Sequence, residues 1–290
     1  MSQAELLTKN VEQAKRHSEA QQTGSAIKLL EEVIKCAAPN PSEEVVRAKE
    51  QATYLLANIY KEKGLFDELL ELQKQILPLF IDFPKSKTAK ITRTLFDLSI
   101  AIENQSTQHH FGKMVDLCRH IIDWCVKEER SFLRMRIETN LADLLFKQEK
   151  YQDALKILGN LLYELKRKED KQLLVESQLV ESKVYHALQN VSKSKASPVA
   201  VKTTANSIYI VPALQSEIDF MSGLLAADEK DYVLSYSYFY ETFEGCRAMN
   251  NVTKAAEAFK FMLFAKIMNK QSDDALNLIN SALSLKYQSR

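Results

Sequence analysis

Cys118 and Cys125 stand seven residues apart, two turns along one helical face, with His120 between them. Thiolates and imidazoles bind zinc when three or four converge on one point. Only two ligands share this face, and His120 points off it. The pair therefore reads as core, where a free thiol behaves as a small apolar group. His109 and His110 are adjacent, so their side chains diverge and cannot make the i, i+4 zinc pair. Cys36 and Cys246 complete the cysteines. There is no CxxC pair and no small disulfide framework, a usage that fits a reducing compartment.

Other chemistries leave no imprint. The sequence has no phosphate-binding GxxxxGK[ST] loop, no dinucleotide glycine fingerprint, no HExxH and no GxSxG. Trp124, the only tryptophan, suits packing better than substrate stacking. No catalytic, cofactor-binding or metal-binding residue is assigned, and no enzyme activity is expected. Lys15-Arg16-His17-Ser18 has the form of a basophilic kinase site. A phosphate on Ser18 would add negative charge near the first helix and bias a contact there.

The balance of charge excludes further classes. Thirty-nine basic and thirty-eight acidic side chains give a net charge of +1, with no footprint of a nucleic-acid binder. The local basic run Lys85, Lys87, Lys90 and Arg93 reads as solvated helix ends and loops. No run of about 18 apolar residues is present, so no membrane span is expected. Glycine and proline number six each, well below average usage. Both break helices, so their scarcity favours long helices over glycine-rich α/β loops or β-hairpins.

The elements that carry these residues repeat. Ala154, Leu155, Leu158, Leu161, Leu162 and Leu165 lie at offsets 0, 1, 4, 7, 8 and 11, one face of an α-helix. The same template starts at residues 26, 69, 114, 154, 197, 235 and 275, about 40 residues apart. Gln73 breaks the second copy, and Ser197 to Ile208 is the weakest. A second amphipathic helix precedes each copy, as in Glu50–Tyr60 and Met135–Phe146. Small residues open five copies (Ala26, Ala154, Ser197, Ser235, Ala275) and let paired helices approach closely. Phe66, Phe111, Tyr151 and Tyr232 recur three positions before a start and read as wedges at the hairpin turn. Ser42 is placed to cap the helix after the 39–44 loop. The apolar stretch 208–215, with Pro212, reads as a buried turn between repeats.

The predicted fold is all-α: a right-handed α-α superhelical solenoid of about seven degenerate tetratricopeptide-like helix pairs. Such a unit buries its apolar face only by stacking on neighbours, and the surfaces it creates serve binding.

Several strings carry a resemblance: EEVVRAKEQA (43–52), LVESQLVESKVYHALQN (174–190), KSKASPVAVKTTANSIY (193–209), YSYFYETFEG (236–245) and FMLFAKIM (261–268). They resemble the family of PCI-containing non-ATPase lid subunits of the 26S proteasome, number six in the regulatory-particle naming. The resemblance runs from about residue 20 to the end. It implies a non-catalytic scaffold in ubiquitin-dependent degradation, in cytoplasm and nucleus. It implies partners in a core-particle α-ring subunit, an ATPase-ring subunit and other lid subunits, with neither nucleic acid nor membrane. It also implies a division into a solenoid at 1–230 and last repeats at 231–290, which lead toward a PCI domain. The family's winged helix lies beyond residue 290, so the chain reads as the solenoid part alone. Phe261, Phe264 and Leu283 are then expected to expose apolar surface. The other readings are a PCI scaffold of a sister complex (signalosome or translation initiation factor) and a peptide-binding adaptor. The adaptor needs a basic, asparagine-rich carboxylate clamp along the inner helices, which the sequence does not display. Partner-binding residues stay unassigned.

Overall fold

The computed structural model describes residues 3–19, 22–36, 42–79, 83–103, 110–190 and 200–280, and among them no strand occurs. The helices begin with α1 (Gln3–Glu19), α2 (Thr23–Lys35), α3 (Glu43–Lys63), α4 (Phe66–Leu79), α5 (Lys85–Glu103) and α6 (Phe111–Lys127). They continue with α7 (Ser131–Lys147), α8 (Tyr151–Lys168), α9 (Lys171–Ala187), α10 (Pro212–Asp228), α11 (Tyr232–Ala248), α12 (Val252–Met268) and α13 (Ser272–Ile279). Residues 200–205 are also helical. The chain forms two compact units, residues 1–137 and 138–290.

Six of the seven template starts lie three residues into a helix. They are Ala26 in α2, Leu69 in α4, Met114 in α6, Ala154 in α8, Ser235 in α11 and Ala275 in α13. The copy at Ser197 begins outside the described residues. Ala26, Leu69, Met114, Ala154 and Ser235 are fully buried. The aromatic wedges Phe66, Phe111, Tyr151 and Tyr232 are the first residues of α4, α6, α8 and α11.

The turns explain how a glycine-poor chain makes so many hairpins. Glu129, Glu149, Glu169 and Gln189 adopt positive φ at intervals of 20 residues, as do Lys230, Asn250 and Lys270. Most of these close a double hydrogen-bonded C-terminal motif. The amide of Asp231 donates to the Ala226 carbonyl, and that of Lys230 to Ala227. Asn251 and Asn250 repeat the pattern on Cys246 and Arg247, satisfying carbonyls that a helix end leaves open. The next residue caps the following helix: Asp231 accepts from the Leu234 amide at 3.1 Å and Asn251 from Lys254 at 3.3 Å. Gly64 alone uses glycine's freedom in this role, at φ 66°.

In residues 1–137, α3 packs on α1, α2, α4 and α5, and α4 packs on α5 and α6. Leu30, Leu56, Leu69, Ile91, Phe96 and Leu117 fill the interior. Polar groups are buried among them. Gln73 is not a gap in the apolar stripe, because its Nε2 donates to Ser99 Oγ at 2.7 Å and to the Leu95 carbonyl at 3.3 Å. Lys49 donates to the Cys36 carbonyl at 2.6 Å, which caps the end of α2. Ser42 caps α3 by accepting from the Val45 amide.

In residues 138–290, α10, α11 and α12 pack in succession, α8 packs on α9, and α9 on α10. Phe239, Phe243, Phe259 and Met262 form a buried cluster flanked by Phe220 and Phe261. The Phe220 and Phe261 rings meet edge-on at 5.3 Å. Gly223 lets α11 approach: a Cβ there would lie 2.7 Å from the Phe239 ring. Ser235 Oγ donates to the Gly223 carbonyl at 2.9 Å, so the small residue at the template start also ties the pair.

Two expectations are corrected. Residues 208–215 are not a buried turn. Tyr209 is 87% exposed and Val211 is exposed, while Ile208 and Ile210 pack on the core and Pro212 opens α10. Proline suits that first position, where no helical donor is required. Phe261 is covered by Phe220 and Phe239, whereas Phe264 is 60% exposed and Leu283 lies outside the described residues.

Candidate functional site

Lys183 on α9, Glu217 on α10 and Lys254 on α12 are separated by 34 and 37 residues in sequence. Repeats of about 40 residues return such positions to one face. Lys183 Nζ lies 3.1 Å from Glu217 Oε2, and Lys254 Nζ lies 2.5 Å from Oε1. Each carboxylate oxygen thus receives one ammonium, each from a different helix. Burial opposes the charge on Glu217, but Lys183 and Lys254 outweigh it and hold the carboxyl down at about 2.

Beside this bridge lies a cavity of about 420 Å³. Phe146, Phe220, Met221 and Leu224 contribute apolar surface, and Lys183, Glu217, Lys254 and Glu257 contribute charge. His186 lines the same cavity and pairs with Asp228 at 3.1 Å. On the other flank of the bridge a shallower groove of about 260 Å³ is lined by Asn140, Asp143 and Glu176 together with Lys183 and Glu217. Asp143 is already paired with Lys147 at 3.0 Å.

Cys246, the thiol of the cavity, has its pKa raised by burial, which withholds the nucleophilic thiolate. Cys118 is likewise pushed upward by burial. Among the described residues no three His, Cys, Asp or Glu side chains gather as a metal site.

The residues singled out from sequence are dispersed. Cys118 and Cys125 are buried in α6, and His120 is exposed. His110 precedes α6 at its N-terminal cap position without a capping side-chain bond, and its amide donates to Glu103 at 2.6 Å; His109 lies outside the described residues. The Arg130 guanidinium stands 4.8 Å over the Trp124 ring. Ser18 is in the last turn of α1, with its side chain outside those described. The Lys183–Glu217–Lys254 bridge was not read from sequence. Its only signal is charge recurring at the repeat length, which many solvated helices share. Among the described residues no helix is long and apolar enough to cross a membrane.

Comparison with known proteins shows what the chain is similar to. Residues 7–148 match the family model described as the 26S proteasome regulatory subunit RPN6 N-terminal domain. The chain is 38% identical over 265 residues to the probable 26S proteasome regulatory subunit rpn6 of Schizosaccharomyces pombe, covering 91% of this chain and 62% of that protein. It is 39% identical to the 26S proteasome non-ATPase regulatory subunit 11 homolog of Arabidopsis thaliana, over 91% of this chain and 61% of that one. Against the 26S proteasome regulatory subunit RPN6 of Saccharomyces cerevisiae the figure is 35%, over 95% and 64%. The chain thus spans under two thirds of the length of these relatives. The crystal structure of BtubC from P. vanneervenii superimposes with a TM-score of 0.55 at 14% identity, covering 86% of this chain and 91% of that one. That likeness concerns the fold alone.

Proposed function

We propose, from the match of residues 7–148 to the RPN6 N-terminal-domain family model, that the chain is a non-catalytic scaffold of the regulatory-particle lid. It clamps regulatory particle to core particle and so supports ubiquitin-dependent degradation in cytoplasm and nucleus. The observation that carries this reading is the family match across α1 to α7. The fold supports it: stacked helical hairpins create surfaces that serve binding.

In this reading the partners are a core-particle α-ring subunit, an ATPase-ring subunit and other lid subunits. Residues 1–230 form the solenoid arm, and residues 231–290 are the last repeats leading toward a PCI domain. The first repeats supply the core-particle contact through exposed side chains, with few anchoring residues and a modest area. Phosphorylation of Ser18 would adjust that contact.

The test is affinity capture of tagged residues 1–290 from cell extract with quantitative mass spectrometry, beside a version lacking residues 1–150. The scaffold reading expects core and ATPase subunits to enrich with the longer chain only. Enrichment of signalosome or initiation-factor subunits instead would replace it.

A further inference from the structure

The Lys183–Glu217–Lys254 bridge has the form of a binding site occupied by the chain's own carboxylate. Two ammoniums carried by separate helices converge on one carboxylate, one cation to each oxygen. Each ammonium has three donors, and this contact uses one of them. The three side chains stay partly open to solvent: Lys254 is 50% exposed, Glu217 36% and Lys183 27%. Glu217 is thus the group that an incoming carboxylate has to displace, and its side chain has an open side toward solvent. Asn140 lies on the neighbouring flank, in a groove that Asp143 and Glu176 also line. Directly beside the cations lies the cavity lined by Phe220, Met221 and Leu224.

We infer that this groove takes the C-terminal residue of a peptide, its apolar side chain in the Phe220–Leu224 cavity and its α-carboxylate between Lys183 and Lys254. Glu217 is then a built-in competitor that keeps the two ammoniums in position when no peptide is present. Charge complementarity selects this occupant. The position between the two cations already holds a carboxylate, whereas Glu257, which also lines the cavity, repels one placed elsewhere. The inference concerns residues 138–290 and stands whether or not the first repeats bind a proteasome particle.

The experiment is fluorescence anisotropy with the whole 290-residue chain. The probe is a fluorescein-labelled eight-residue Gly/Ser peptide ending in Leu-Leu with a free carboxylate, beside its C-terminal amide. The free acid is expected to bind saturably and at least about ten-fold more tightly than the amide, the scale of a charge-assisted hydrogen bond. Lys254→Met removes that preference. Glu217→Gln strengthens binding of the acid by about ten-fold, because the competing charge is gone. A purely structural bridge would move the other way. Circular dichroism verifies that both variants fold, and the acid-against-amide comparison on the unaltered chain needs no variant. Equal binding of acid and amide, or no saturable binding of either, overturns the inference.

Discussion

Residues 1–137 and residues 138–290 build the same kind of helical hairpin with different interiors. In the first unit, helices are pinned by buried polar contacts that each have one correct register: Gln73 on Ser99, and Lys49 on the end of α2. In the second, aromatic packing around Phe239 joins buried polar contacts of the same kind, Ser235 on the Gly223 carbonyl and Thr139 on Ser177. A buried hydrogen bond adds little net stability, yet breaking it is expensive. Aromatic burial adds more, through the large area each ring removes from water. The second unit therefore adds aromatic cohesion to the polar registration that both units share.

That contrast is open to attack by mutation. The largest effect is expected from Phe239→Ala, which empties a fully buried position between α10 and α12. It should cost about 3–5 kcal/mol, read by urea denaturation, with hydrogen exchange accelerating in residues 212–268 and little changed in 22–103. Gln73→Ala tests the other unit. It strips Ser99 of a buried partner and should cost about 1–3 kcal/mol, with the faster exchange now confined to α4 and α5. If either substitution loosened both units equally, the comparison would fail.

The turns give a change of opposite sign. Lys230→Gly and Asn250→Gly put a residue without a Cβ where φ is 64° and 56°. Each should stabilise by up to about 1 kcal/mol, Lys230 more than Asn250, because asparagine already tolerates this conformation. Raised midpoints in thermal melts would confirm that the second unit accepts backbone strain in place of glycine.

The smallest effect is electrostatic. Glu217 is held down at about 2 from an ordinary carboxyl value of 4.5. Its folded pKa is depressed, so its contribution is fully present above about 4.5 and is lost as pH falls toward 2. Solvent screening keeps it below about 1 kcal/mol. Glu217→Gln should lower the stability of the second unit by less than about 1 kcal/mol at neutral pH and leave it unchanged near pH 2, which flattens the profile between them.

Much of this architecture is legible in the amino-acid order, for a physical reason. Apolar side chains at helical spacing must share a buried face, and six template copies mark helices three residues after they begin. The small residue at position 235 also announces close approach, realised as its bond to the Gly223 carbonyl. Gln73 misleads because polarity predicts exposure, whereas a partner at position 99 makes burial tolerable. Residues 208–215 mislead because apolar composition does not say which alternate side chains face the core. The positive-φ turn residues are silent, since glutamate and lysine there look like any solvated helix end. The Lys183–Glu217–Lys254 bridge is silent too: its partners meet only after three helices have stacked.

The most direct test of the scaffold role is cross-linking mass spectrometry on assembled 26S particles containing the tagged chain, with a lysine-reactive reagent. Lys85, Lys87, Lys90 and Lys113 lie within the family-matched segment, the first three on α5 and the last on α6. The account predicts cross-links from residues 7–148 to core-particle α-ring and ATPase-ring subunits. A chain that enters the particle yet cross-links from that segment only to itself, or a chain that never enters it, would contradict the account.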